Sequence, residues 1–188
     1  LRFSIHRAMK TLRQPLLTFI VTAASCVPSP VFAAATVSGT DTIFGAGLAA
    51  PPGGGSLPPS YSFAPGPGQS VVFTSVVGAV SSGGFLFGPD GEGGVIFATA
   101  MEGYLGLSGI VADTSFFLAG VFLDDKAPNE AAPPSLDFRS GGLGPDFPSL
   151  TPLIGQTFYV GDDRTGQGGT GTLQTIAVPA TATRPFLG

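Results

Sequence analysis

The chain has 188 residues, room for one domain and a leader, and 47 of them are Gly or Pro while 16 are Phe. Four of its eight Lys and Arg (Arg2, Arg7, Lys10, Arg13) lie in the first 13 positions, and all twelve acids follow from Asp41 onward, so residues 36–188 carry a net charge of −8. Such a surface repels phosphate backbones and anionic lipid, which excludes nucleic acid as an expected partner and leaves cation binding or plain solubility as the uses of the charge.

Residues 2–13 form a basic head, and Leu16 to Val27 is an apolar run of twelve. Pro28 and Pro30 follow, then Val31-Phe32-Ala33-Ala34-Ala35. A basic head, a short apolar core and small residues at the cut are the pattern of a secretory signal peptide over residues 1–35. The run is too short for a permanent membrane span, so no integral span is expected after its removal. Val31 and Ala33 suit a cut after Ala33, and Ala33 with Ala35 suits one after Ala35. Met9 is a candidate start. A lipoprotein leader cut before Cys26 is the other reading of the same stretch, but Ala23-Ala24-Ser25-Cys26 lacks the large aliphatic residue usual three before a lipidated Cys. The expected location is secreted, extracellular or at the cell surface.

Residues 36–188 read as one domain. Thr36 to Phe44 alternates and predicts a first strand. Residues 45–60 hold too many breakers for an element. Tyr61-Ser62-Phe63 opens a short strand, and Pro65-Gly66-Pro67-Gly68 is a turn. Ser70 to Val80 (SVVFTSVVGAV) is β-branched and predicts the clearest strand of the chain. Gly88-Pro89-Asp90-Gly91 is a strong turn signal. Val95 to Ala98 and Ile110-Val111 are short strand candidates. Phe116 to Leu123 (FFLAGVFL) is a continuous apolar run, expected to be a central strand buried on both faces. Residues 124–149 read as a long polar, Pro-rich connection. Leu153 to Val160, Thr172 to Val178 and Phe186-Leu187 complete the strands. Many short strands without an amphipathic helix predict an all-β fold, an antiparallel β-sandwich or jelly roll.

Pro67-Gly68-Gln69 leading a β-branched strand, the Phe87-to-Gly91 turn, the Phe116–Leu123 run and the Val178-to-Gly188 stretch carry a resemblance. Together they are similar to the galactose-binding-like domains of secreted bacterial proteins that bear a PEP-CTERM sorting tail. More distantly they resemble calcium-dependent galactose lectins of the PA-IL type. The resemblance implies a galactose-binding-like sandwich. It also implies a calcium ligand supplied by a backbone carbonyl near Ser82, and sugar contacts after the Gly-Pro-Asp-Gly turn, around Asp90 and Glu92. The lectins' remaining calcium ligands lie beyond the strand that starts at Arg184, and their sugar-contacting His has no counterpart in Glu92-Gly93-Gly94-Val95. No apolar helix followed by Arg closes the sequence as a sorting tail would. The chain begins without Met and ends inside a strand-like segment, so the expectation is a domain truncated at its C-terminus.

The only Cys is Cys26 and the only His is His6. The domain therefore has no Ser-His-Asp or Cys-His machinery and no His or Cys zinc site. Gly53-Gly54-Gly55 lacks the Lys-Ser or Lys-Thr of a phosphate loop. Carboxylates remain. Asp124-Asp125 follows one predicted strand and Asp162-Asp163 another, and paired hard oxygens at strand ends are candidate calcium ligands. The competing reading is that these Asp residues cap turns. Two carboxylates could also act as a glycosidase acid and base. That needs a cleft and aromatic platforms, and the chain has no Trp and only Tyr61, Tyr104 and Tyr159 besides its Phe residues; for those tyrosines the plain reading is core packing with a wet hydroxyl. The expected function is an exported, non-enzymatic module. It is either structural, with other matrix proteins as partners, or binds extracellular polysaccharide, with a calcium-dependent lectin as the sharper form of the second. A glycoside hydrolase is the third reading.

Overall fold

A computed structural model of the chain describes residues 35–61, 69–93 and 98–188, with Glu92 and Gly93 as backbone. Residues 1–34 lie outside it, and so does most of the expected strand at 61–63, the turn at 65–68 and most of the strand at 95–98. The described chain is all-β, with one 3-10 turn at Ile43–Gly45 and no α-helix among the described residues. None of its helices is long and apolar enough to cross a membrane.

In chain order the strands are β1 (Ser70–Val71), β2 (Val80–Ser82), β3 (Phe85–Phe87), β4 (Glu92–Gly93) and β5 (Thr99–Met101). Then come β6 (Ile110–Ala112), β7 (Thr114–Ser115), β8 (Ala119–Leu123), β9 (Leu136–Phe138) and β10 (Ser149–Leu150). The last are β11 (Phe158–Tyr159), β12 (Arg164–Gly166), β13 (Thr170–Leu173), β14 (Thr175–Ala177) and β15 (Arg184–Leu187). They form three three-stranded sheets, ordered β1-β14-β10, β11-β8-β15 and β5-β6-β9, and three two-stranded ones, β12-β13, β2-β3 and β4-β7. Several small sheets around shared apolar clusters give the protein a sandwich-like all-β build.

β8 organises the interior. It pairs with β15 through four residues, Leu123 opposite Arg184 to Gly120 opposite Leu187, and with β11 on its other edge. Side chains alternate across a strand. Ala119, Val121 and Leu123 therefore pack with Ile43, Phe44 and Phe186, while Phe122 points the other way into a cluster with Phe138, Phe158 and Ile176. All five residues of β8 are buried. The apolar run at 116–123 is thus a strand covered on both faces, as expected, although the ladder starts only at Ala119. Gly120 is required there: a Cβ would sit 2.6 Å from the Phe158 ring.

Four expectations are corrected. The pairing is not purely antiparallel, because β6 runs parallel to β9 and β10 parallel to β14. Parallel pairs need long crossovers, and the chain between β6 and β9 and between β10 and β14 supplies them. The strand expected over Ser70–Val80 is two residues of β1 and the start of β2, with the chain between them outside any sheet. Gly78, in the left-handed region at φ 131, interrupts the extended run. Thr36 to Phe44 forms no strand; Asp41 makes an isolated bridge to Ser56, and the 3-10 turn follows. The polar connection at 124–149 contains β9, and Phe138 and Phe147 from it are core residues. Its prolines and charges masked two aromatic anchors.

The predicted strand at 172–178 is split in two. Gln174 is buried between β13 and β14, and its Nε2 donates to Pro145 O at 2.7 Å and Phe147 O at 2.8 Å. Those bonds to a neighbouring loop turn the chain from one sheet into the next.

Candidate functional site

The Gly88-Pro89-Asp90-Gly91 sequence forms the turn expected of it, with Gly91 N donating to Gly88 O at 2.9 Å. Gly91 has φ 77, and a Cβ there would meet Ser115 O at 2.1 Å, so glycine is needed for both reasons. The turn lies against the segment that follows β6. Leu118 N donates to Pro89 O at 2.9 Å, and Thr114 Oγ1 donates to Asp90 O at 3.1 Å.

The carboxylate of Asp90 reaches a second loop far along the chain. Its Oδ1 accepts from Asp162 N at 2.8 Å and its Oδ2 from Gly168 N at 3.0 Å. Tyr159 donates its hydroxyl to Asp90 O at 3.1 Å. Asp162 repeats the device within its own loop, Oδ1 accepting from Arg164 N at 3.0 Å and Oδ2 from Gly169 N at 2.5 Å. Short Asp side chains capturing backbone N–H groups are the chemistry of turn residues. The glycines at 161, 168 and 169, all with positive φ, let the loop wrap around the two carboxylates.

Asp163 points elsewhere. It has a left-handed backbone (φ 60), its side chain is wholly buried, and its Oδ2 accepts from Phe73 N at 2.5 Å. Among the described residues its Oδ1 has no hydrogen-bond partner. Burial pushes its carboxyl up to about 7, the Phe73 N–H opposing and the Asp162 charge assisting. Burial, reinforced by Asp90, also raises the Tyr159 phenol, so that tyrosine stays a neutral hydrogen-bond donor.

These elements enclose a groove of about 750 Å³. Its lining includes Val76 and Val77, the Gly88–Gly91 turn, and Asp162, Gly168 and Gly169 of the second loop. Asp113, Thr114, Gln167, Phe138 and Tyr159 also line it. Val77 is 87% exposed, an apolar side chain facing water at the groove's mouth.

The expected site residues divide. Asp90 and Asp162 come together, although the sequence placed them in separate groups. Ser82 ends β2 opposite Phe85 and is not among the described residues that line the groove, and the Glu92 backbone opens β4 opposite Ser115. Asp124 and Asp125 lie past the end of β8. Asp124 Oδ1 accepts from Lys126 N at 2.9 Å, Asp124 O accepts from the Arg184 guanidinium, and Asp125 Oδ1 accepts from the Thr183 hydroxyl at 2.6 Å. No group of three or more His, Cys, Asp or Glu side chains is gathered as a metal cluster among the described residues. Sequence reading missed Val76, Val77, Asp113 and Gln167. A signal for the loop did exist: the Gly-rich tract GDDRTGQGG at 161–169, with two adjacent Asp, marks carboxylates held by tightly turning backbone.

No protein-family model matches this chain, and comparison with curated proteins and with solved structures also returns no match.

Proposed function

We propose that this is an exported, non-enzymatic polysaccharide-binding domain of the extracellular space or cell surface, of galactose-binding-like jelly-roll type, with the groove as its binding face. The observation that carries the reading is the groove's mixed wall. Asp90, Asp113 and Asp162 line it together with Val76 and Val77. A sugar offers hydroxyls that donate to carboxylate oxygens and C–H faces that lie on apolar side chains, so it uses both. Among the described residues the lining contains no Lys, Arg or His, which favours neutral or amino-bearing sugars over anionic ones. The absence of His and Cys after residue 26 supports a binding role over nucleophilic catalysis. The basic head and apolar run of residues 1–35 support export.

A second reading, a self-associating matrix protein, is favoured by Phe85 and Leu86. They are 69% and 75% exposed on consecutive positions of β3, and so face opposite sides of the hairpin. A glycan array probed with and without calcium separates the two. Retention on neutral or amino-sugar polymers is the expected result. Binding to none in either condition, together with sedimentation that rises with concentration, would overturn the first reading in favour of the second.

A further inference from the structure

Three non-glycine residues among those described hold a left-handed backbone: Leu105, Phe116 and Asp163. Two of them belong to the segments that build the groove. Phe116, at φ 63, is the notable one, because a bulky side chain disfavours that conformation and such outliers collect at working sites. The consequence of the twist is visible in the ring. Phe116 lies parallel to Phe87, centroids 4.8 Å apart and planes 7° off parallel. Phe87 is buried while Phe116 is 43% exposed. One face of the Phe116 ring thus rests on a core aromatic, and its exposed area lies on the other face and rim.

Both rings of the stack are close in the chain to residues that line the groove. Phe87 immediately precedes Gly88, and Phe116 follows Thr114 by two residues; Gly88 and Thr114 both line the groove. The backbone on either side of Phe116 is fastened to the turn, Ser115 O against Gly91 and Leu118 N on Pro89 O at 2.9 Å.

From these observations we infer that Phe116 is an aromatic stacking platform, presented by its left-handed backbone to the C–H face of a sugar ring at the mouth of the groove. The inference rests on the polysaccharide reading and adds to it a residue outside the groove lining. The weakly positive C–H groups of a pyranose face complement the negative face of the ring. The rigid Phe87 beneath fixes the ring's plane before ligand arrives, which lowers the ordering cost of binding.

The test uses affinity electrophoresis of the full chain in gels containing a polysaccharide that retains the wild type. Phe116→Gly removes the ring and suits the local backbone. Its expected effect is a loss of affinity of about tenfold, the scale of one aromatic contact, with a melting midpoint no lower than wild type. Phe116→Tyr keeps the face and is expected to bind as wild type does. Should the glycine variant unfold by uncovering Phe87, Phe116→Leu keeps that cover without a flat ring and is expected to show the loss. Val77→Asp is the control for the groove itself. If Val77→Asp weakens retention while the glycine and leucine variants bind normally, the platform is overturned and the polysaccharide reading stands. If the wild type is retained by no polysaccharide, the reading beneath it falls. If Phe116→Gly abolishes self-association instead of glycan affinity, the ring is a contact between copies and the platform is overturned.

Discussion

Two apolar segments of this chain look alike in sequence and end differently. SVVFTSVVGAV at 70–80 and FFLAGVFL at 116–123 are both rich in Val and Phe and both predict strands. The second becomes β8, paired on both edges and covered on both faces by Phe158, Phe186 and their neighbours. The first keeps two residues of ladder with β14 and then leaves the sheet, with Val77 in solvent. Propensity is therefore a statement about what a segment can do once a partner edge is offered. β8 has β15 and β11 at hand. The stretch after Val71 has Asp163, whose carboxylate captures Phe73 N in place of a neighbouring strand. A side chain has taken the donor that a ladder would have used.

That contrast can be broken most forcefully at β8. Phe122→Ala removes a fully buried ring from the larger cluster and is expected to cost about 3–5 kcal/mol, read as a lowered urea midpoint. A loss under 1 kcal/mol would mean that β8 is not the centre of the core. Gly120→Ala drives a methyl into the Phe158 ring and is expected to cost about 1–3 kcal/mol. A neutral result would show that the β8–β11 contact is loose.

At the junction between the two regions, Asp163 makes stability pH-dependent. Its folded pKa of about 7 lies well above the ordinary carboxylate value, so the fold prefers the neutral acid. Stability from this group is fullest below about pH 4 and is lost as pH rises through 7. Urea midpoints measured across pH 4–8 should fall along that window in the wild type, and the slope should flatten in Asp163→Asn. An equal slope in both would show that the carboxyl ionises freely. The smallest effect belongs to the exposed segment. Val77→Ser is expected to shift stability by no more than about 0.5 kcal/mol. A larger loss would mean that this stretch is buried in solution after all.

The turn at Gly88–Gly91 was legible because Pro and Gly act through their own backbone, whatever surrounds them. The groove was not. Its two defining carboxylates are 72 residues apart in sequence; Asp90 bonds to backbone of the Asp162 loop, and Asp162 to backbone of its own loop. Asp162 and Asp163, adjacent and chemically identical, read as one pair; the structure sends one to Gly169 and the other to Phe73. Nothing local distinguishes them, because the left-handed backbone at Asp163 separates the two side chains only once the loop is folded. The buried phenylalanines at 138 and 147 were hidden by the opposite problem, polar neighbours that suggest a solvent loop.

By itself the sequence determined the all-β character, a doubly covered strand within 116–123, the tight turn before Glu92, and the lack of imidazole and thiol after residue 26. Those properties follow from side-chain shape, φ preference and composition, which act within a few residues. Tertiary structure alone decided the two parallel pairings, the exposure of Val77 and Phe116, and the meeting of Asp90 with Asp162. Each of those depends on which distant backbone donor or apolar face reaches a residue first, and that is settled only when the whole chain closes around β8.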